Sequence, residues 1–130
     1  KSIRMIGYAF QAPDIVRALI AAHDRGVDVR IVVDEKRNRV KASRKMMDEI
    51  VQHGVQLRTD GHYHIQHDKT LIADERVVET GSFNFAPSAE TLNSENVVVF
   101  RGMPAVTRQY LAHWQSGWVL GKTYQPHRQQ

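Results

Sequence analysis

A chain of 130 residues that is 42% hydrophobic has material for one core, so a single domain over 1–130 is expected. It contains no cysteine, which excludes disulfides, thiolate metal sites and a thiol nucleophile. No run approaches the roughly 20 apolar residues of a membrane span, and a net charge of +4 with a pI near 9.6 favours an anionic partner.

Ser2 to Phe10, rich in β-branched and aromatic residues, is predicted as a strand. Nothing precedes it to cover the sheet edge, so an upstream element is expected to be missing. Pro13 suits the first turn of a helix whose Ile15, Val16, Leu19 and Ile20 share one face, with Gly26 as its stop. The run VDVRIVVD reads as a buried strand, and EKRNRVKASRK after it forms a basic loop that leads into a second helix. Ser43 is expected to cap that helix, which carries Met46, Met47, Ile50 and Val51 and ends at Gly54. VQLRT supplies a third strand, closed by the turn signal Asp60-Gly61. This alternation implies right-handed crossovers and a parallel first half of a sheet.

The second half reads differently. Two strands joined around Asp74 to Arg76 precede a short helical stretch near Pro87 to Leu92, the strand SENVVVF, and a last helix from Pro104 through Trp118. Residues 119–130 are expected to fray. The fold class is therefore α/β, a mixed sheet flanked by helices.

Within HIQHDKTLIADERVVETGSFNF, strand alternation points His67 and Lys69 one way and likewise pairs Ser82 with Asn84. A two-residue turn at Glu75 and Arg76 would set Lys69 opposite Ser82 and His67 opposite Asn84, so that all four meet on one face. A three-residue loop would break that register. Imidazole, ammonium, hydroxyl and carboxamide together suit a tetrahedral oxyanion such as phosphate, and Gly81 would let a backbone or ligand approach closely. The plain alternative is a hairpin with satisfied polar residues at the wet end of a sheet.

The pattern H-x-K-x4-D-x6-G-S-x-N, filled without a gap by His67, Lys69, Asp74, Gly81, Ser82 and Asn84, resembles the signature of the phospholipase D superfamily. The likeness extends through YAF-x-APDI, RGVDVRIVVDE, NSENVVVF and HWQSGW to the small bacterial single-motif endonucleases of that superfamily, and implies a further strand and helix upstream of residue 1. It implies that His67 is the nucleophile of a covalent phosphohistidine, that Lys69 and Asn84 hold phosphate oxygens with Ser82 alongside, and that Glu95 orients the histidine. Asp74 belongs to the signature, but its place at the turn suggests that it organises structure. One motif per chain implies a homodimer with a composite site in which the two copies of His67 face each other. The resemblance implies no metal or cofactor. The expected substrate is nucleic acid, DNA before RNA, held through backbone phosphates by Lys36, Arg37, Arg39 and Lys41. Relatives of this size are often exported, so the periplasm or secretion is the expected place if an upstream signal has been removed.

Three other readings compete. His62, His64 and His67 could ligate zinc, although His67 has the opposite parity in a regular strand. A phospholipid could be the substrate, against which stand the basic loop and the lack of a membrane-inserting segment. A non-cleaving fragment could bind nucleic acid alone. His23, His53, His113 and His127 read as surface residues, and Trp114 and Trp118 as core.

Overall fold

The computed structural model describes residues 1–82, 84–86 and 94–126; the expected helical stretch from Pro87 to Leu92 lies outside them. Strand β1 (Ser2–Gly7), helix α1 (Pro13–Asp24) and strand β2 (Asp28–Asp34) form the first crossover unit. A 3-10 turn (Arg37–Arg39) then leads to α2 (Lys41–Gln52) and β3 (Gln56–Asp60). Strands β4 (Lys69–Ala73), β5 (Val77–Gly81) and β6 (Val97–Arg101), helix α3 (Pro104–Leu120) and β7 (Lys122–Thr123) complete the order.

The seven strands form one mixed sheet in the order β6-β5-β4-β1-β2-β3-β7. As the alternation implied, β1, β2 and β3 are parallel, and β4 runs antiparallel to β1 on its other side. The first strand is therefore central, and the uncovered edge expected beside it does not exist. Two-residue periodicity sorts the sheet's side chains. Met5, Ile31, Val33 and Leu57 face α1 and α2 with Val16, Leu19, Met47 and Ile50, whereas Ile6, Val32, Ile72 and Val78 face Trp114 and Trp118 of α3. The two indoles stack 5.2 Å apart, and the Trp114 N–H donates to the Met5 carbonyl at 2.9 Å. Arg4 lies over Trp114 at 5.4 Å, and Arg58 lies over Trp118 at 4.1 Å while donating to the Trp118 carbonyl. Burial alone would raise the Asp28 carboxyl, but Arg4 and Arg30 outweigh it and hold the group below the ordinary carboxylate value.

Three further expectations need correction. Val40, not Ser43, stands at the start of α2; Ser43 is buried in its first turn, where its hydroxyl accepts from the Gln11 amide at 3.1 Å. The segment expected to fray is tied down in part, because α3 runs to Leu120 and Lys122–Thr123 pair with β3, with the Tyr124 hydroxyl donating to Asp48 at 2.5 Å.

The third correction is the register. Asp74 and Glu75 both lie at positive φ (54° and 56°), and the Arg76 N–H closes the turn on the Ala73 carbonyl at 3.0 Å. The ladder nevertheless begins at Ala73–Val77, so Arg76 is one extra residue and the loop has three. Asp74 tolerates this conformation and uses it, accepting from the Ser2 N–H at 3.0 Å. Glu75 is exposed, and no hydrogen bond of its side chain is seen among the described residues. Glu75→Gly is expected to raise stability by about 0.5–1 kcal/mol, read as a shift in the urea midpoint at unchanged m-value.

Candidate active site

The carboxyl ends of parallel strands are where an open α/β sheet leaves a crevice. Here β1 and β2 end at Gly7 and Asp34, and the start of β4 joins them because Gly7 pairs with Lys69. Buried Asn38 ties this end together: its carboxamide oxygen accepts from Phe10 N–H at 2.9 Å, and its amide donates to the carbonyls of Tyr8 and Asp34, both at 2.7 Å. Asp34, also buried, accepts from the backbone N–H of Gln66 and of Arg37, each at 2.8 Å. The loop after β1, the basic turn and the segment before β4 are thus fastened to one another.

His67 and Lys69 stand on that frame. The Lys69 ammonium lies 3.2 Å from each ring nitrogen of His67 and donates to the His67 carbonyl at 3.0 Å. Tyr8 meets the imidazole edge-on at 4.8 Å between centroids. The same tyrosine ring lies 5.8 Å from the Lys69 ammonium and 5.8 Å from the Arg37 guanidinium. Burial pulls the Lys69 pKa below that of an ordinary lysine, while the charges of Asp68 and Glu95 oppose the fall.

The other expected residues reach this end of the sheet by a different route. The three-residue loop brings Lys69 beside Gly81, not Ser82, so a regular ladder would turn Ser82 and Asn84 to the opposite face. Instead the regular strand ends at Gly81, where Asn96 crosses closely: a Cβ on Gly81 would collide with the Asn96 carbonyl oxygen and stand 2.9 Å from Val97 Cα. Ser82 exchanges two bonds with Asn96, its N–H donating and its hydroxyl accepting, both at 3.0 Å. Phe85 returns the chain to the loop after β1, its carbonyl accepting from Gln11 and Ala12. Asn84 is half-buried beside it, its carboxamide oxygen without a partner among the described residues.

Glu95 is close enough to Lys69 to act on its charge, and no hydrogen bond joins it to His67 among the described residues. Asp74 is at the far end of β4 from Lys69, where it pins the start of β1; the structure separates it from the other five. Of the basic residues, Arg37 flanks Tyr8, Arg39 pairs with Glu35 at 2.7 Å, and Lys36 and Lys41 are exposed. His62, His64 and His67 do not converge, and no three His, Asp or Glu side chains among the described residues form a metal cage. Tyr8, Asn38, Asp34 and Asp68 were missed by the sequence reading. The YAF run and the residue between His67 and Lys69 were the available signals.

The family model of the cardiolipin synthase, phospholipase D-like domain matches residues 1–118. The chain belongs to the phospholipase D superfamily. Nuc from Salmonella typhimurium, a phospholipase D family member, superimposes with a TM-score of 0.94 at 53% identity, over 96% of this chain and 82% of that one. The match to NucT from Helicobacter pylori, at 23% identity and a TM-score of 0.78, shows the shared fold over 95% of this chain and 82% of the other. A phospholipase D of Rickettsia prowazekii is 37% identical over 89% of this chain and 55% of its own length. The mitochondrial cardiolipin hydrolase of Mus musculus is 31% identical over 90% and 52%. The chain thus spans about half the length of the curated relatives it matches. Membership of the superfamily places this chain among phosphodiesterases and their relatives.

Proposed function

We propose that this phospholipase D-like domain hydrolyses the phosphodiester backbone of nucleic acid, DNA in the first place, through a covalent phosphohistidine at His67. The observation that carries the reading is the Lys69 ammonium against both ring nitrogens of His67, with the Arg37 guanidinium also beside the Tyr8 ring. The likeness to Nuc supports it.

In the first step a ring nitrogen of His67 attacks phosphorus, a P–N bond forms, and the P–O bond to the leaving sugar oxygen breaks. That oxygen takes a proton from an acid. In the second step water attacks phosphorus, the P–N bond breaks, and the proton lost by water goes to the group that served as acid. One motif carries one such histidine, so the acid is assigned to His67 of a second copy, in a homodimer with a composite site. Lys69, Asn84 and their counterparts supply donors and charge to the phosphoryl oxygens, which makes the reaction independent of a metal. Glu95 contributes through the field it places on Lys69.

A phospholipid is the second reading, favoured by the names of the Rickettsia and mouse relatives. The bond broken and the residues used would be the same. No helix among the described residues is long and apolar enough to cross a membrane. Nicking of supercoiled plasmid in excess EDTA, run beside release of phosphatidate from cardiolipin vesicles, separates the two. Plasmid cleavage is expected, and vesicle hydrolysis alone would move the substrate to lipid. Arg37→Ala is expected to weaken plasmid binding and to make the slope of log K against log salt shallower by about 1.

A further inference from the structure

Alternation along His67, Asp68 and Lys69 has a second result. If His67 and Lys69 share a face, Asp68 points to the other, which farther along β4 is the face that Thr70 and Ile72 turn toward α3. There one oxygen of the Asp68 carboxylate accepts from the His113 Nε2–H at 2.9 Å, and the other accepts from the Gln66 side-chain amide. Gln66 is 3% exposed, and its own carboxamide oxygen has no partner among the described residues. Its backbone N–H is held by Asp34. His113 precedes Trp114, whose indole is fastened to Met5 of β1.

We propose that Asp68 and His113 are a positioning pair for phosphoryl transfer, tying the short segment that carries His67 to α3 and so setting where the imidazole and the Lys69 ammonium stand. This rests on the reading of His67 as nucleophile. The exposed His67 lies outside any strand, just before Asp68 and Lys69, and its ring meets Tyr8 and the Lys69 ammonium. Its backbone is fixed on one side by Gln66 on Asp34 and on the other by Asp68 on His113. Releasing either side frees the nucleophile to shift, and a displacement of about 1 Å can cost on the order of 10²-fold in rate. The Asp68 carboxylate also sits beside Lys69 and favours its charged form. With side chains 28% and 50% exposed, the pair itself contributes little to stability, so its effect belongs in geometry.

The test uses hydrolysis of bis(p-nitrophenyl) phosphate, a phosphodiester that commits to neither nucleic acid nor lipid, together with NMR of the His67 imidazole. His113→Ala is expected to lower kcat about 10-fold with KM within about 2-fold, and to shift or broaden the His67 ring resonances. Asp68→Ala is expected to fall further, because Lys69 also loses a negative neighbour, and the double variant should match Asp68→Ala alone. His113→Gln keeps an N–H donor and should recover most of the rate. Unmoved His67 resonances in His113→Ala, an unchanged kcat, or additive losses in the double variant would each overturn the proposal. A wild-type chain that leaves the ester intact would defeat the nucleophile reading, while the NMR arm would still decide whether the pair holds His67.

Discussion

His67→Ala is expected to lower turnover of plasmid DNA by at least about 10³-fold while leaving plasmid affinity within a few-fold of the original. The step it removes is P–N bond formation; near Lys69, Tyr8 meets the imidazole through its ring, and the Ser82 hydroxyl accepts from the Asn96 N–H. Binding is expected to survive because Arg37, Lys36 and Lys41 are untouched. Because His67 is exposed, the substitution should leave Tm nearly unchanged. The decisive measurement is single-turnover cleavage with quench at acid-stable and acid-labile conditions. A phosphoenzyme trapped with the original chain and absent from the variant supports the mechanism, and undiminished cleavage by the variant would remove it.

Gly81→Ala is expected to have the largest effect on stability, about 2–3 kcal/mol, or a fall in Tm of ~10 °C for a chain of this size. The atoms a Cβ would meet are the Asn96 carbonyl oxygen and Val97 Cα, main-chain atoms that no rotamer change can move aside. Accommodating the methyl group requires β5 and the start of β6 to separate, which breaks the Ser82–Asn96 exchange and the Gly81–Val97 pairing. That opening lies beside Lys69 and next to Glu95 in sequence, so turnover should fall with stability. Thermal denaturation of the variant followed by circular dichroism checks the first part; a Tm within 2 °C of the original would mean that the strand spacing is slack at this point.

The first half of the fold was legible because its signals are local. Pro13, Gly26 and Gly54 mark helix ends, and the period of apolar residues switches from helix to strand where the structure does. The signature residues from His67 to Asn84 were equally legible, since their spacing does not depend on knowing the sheet. What failed was the step from spacing to geometry. Arg76 is a bulged residue in a turn without an Asn-Gly pair, and that one residue changes which side chains oppose Lys69. His113 was read as a surface residue, and half of its side chain is indeed exposed, but the carboxylate it meets is distant in sequence and on another element. The tie of Lys122 and Thr123 to β3 likewise depends on where α3 ends.

The two tryptophans are the only ones in the chain, and they stack on each other on α3, with Arg4 and Arg58 against their rings. Intrinsic indole emission from this protein is therefore a private signal of one event, the seating of α3 on the sheet. It says nothing directly about α1 or α2, which cover the other face. Loosening of the helix that carries His113 would change the emission before the rest of the core gives way, so the molecule contains its own optical gauge of the element on which the segment bearing His67 leans.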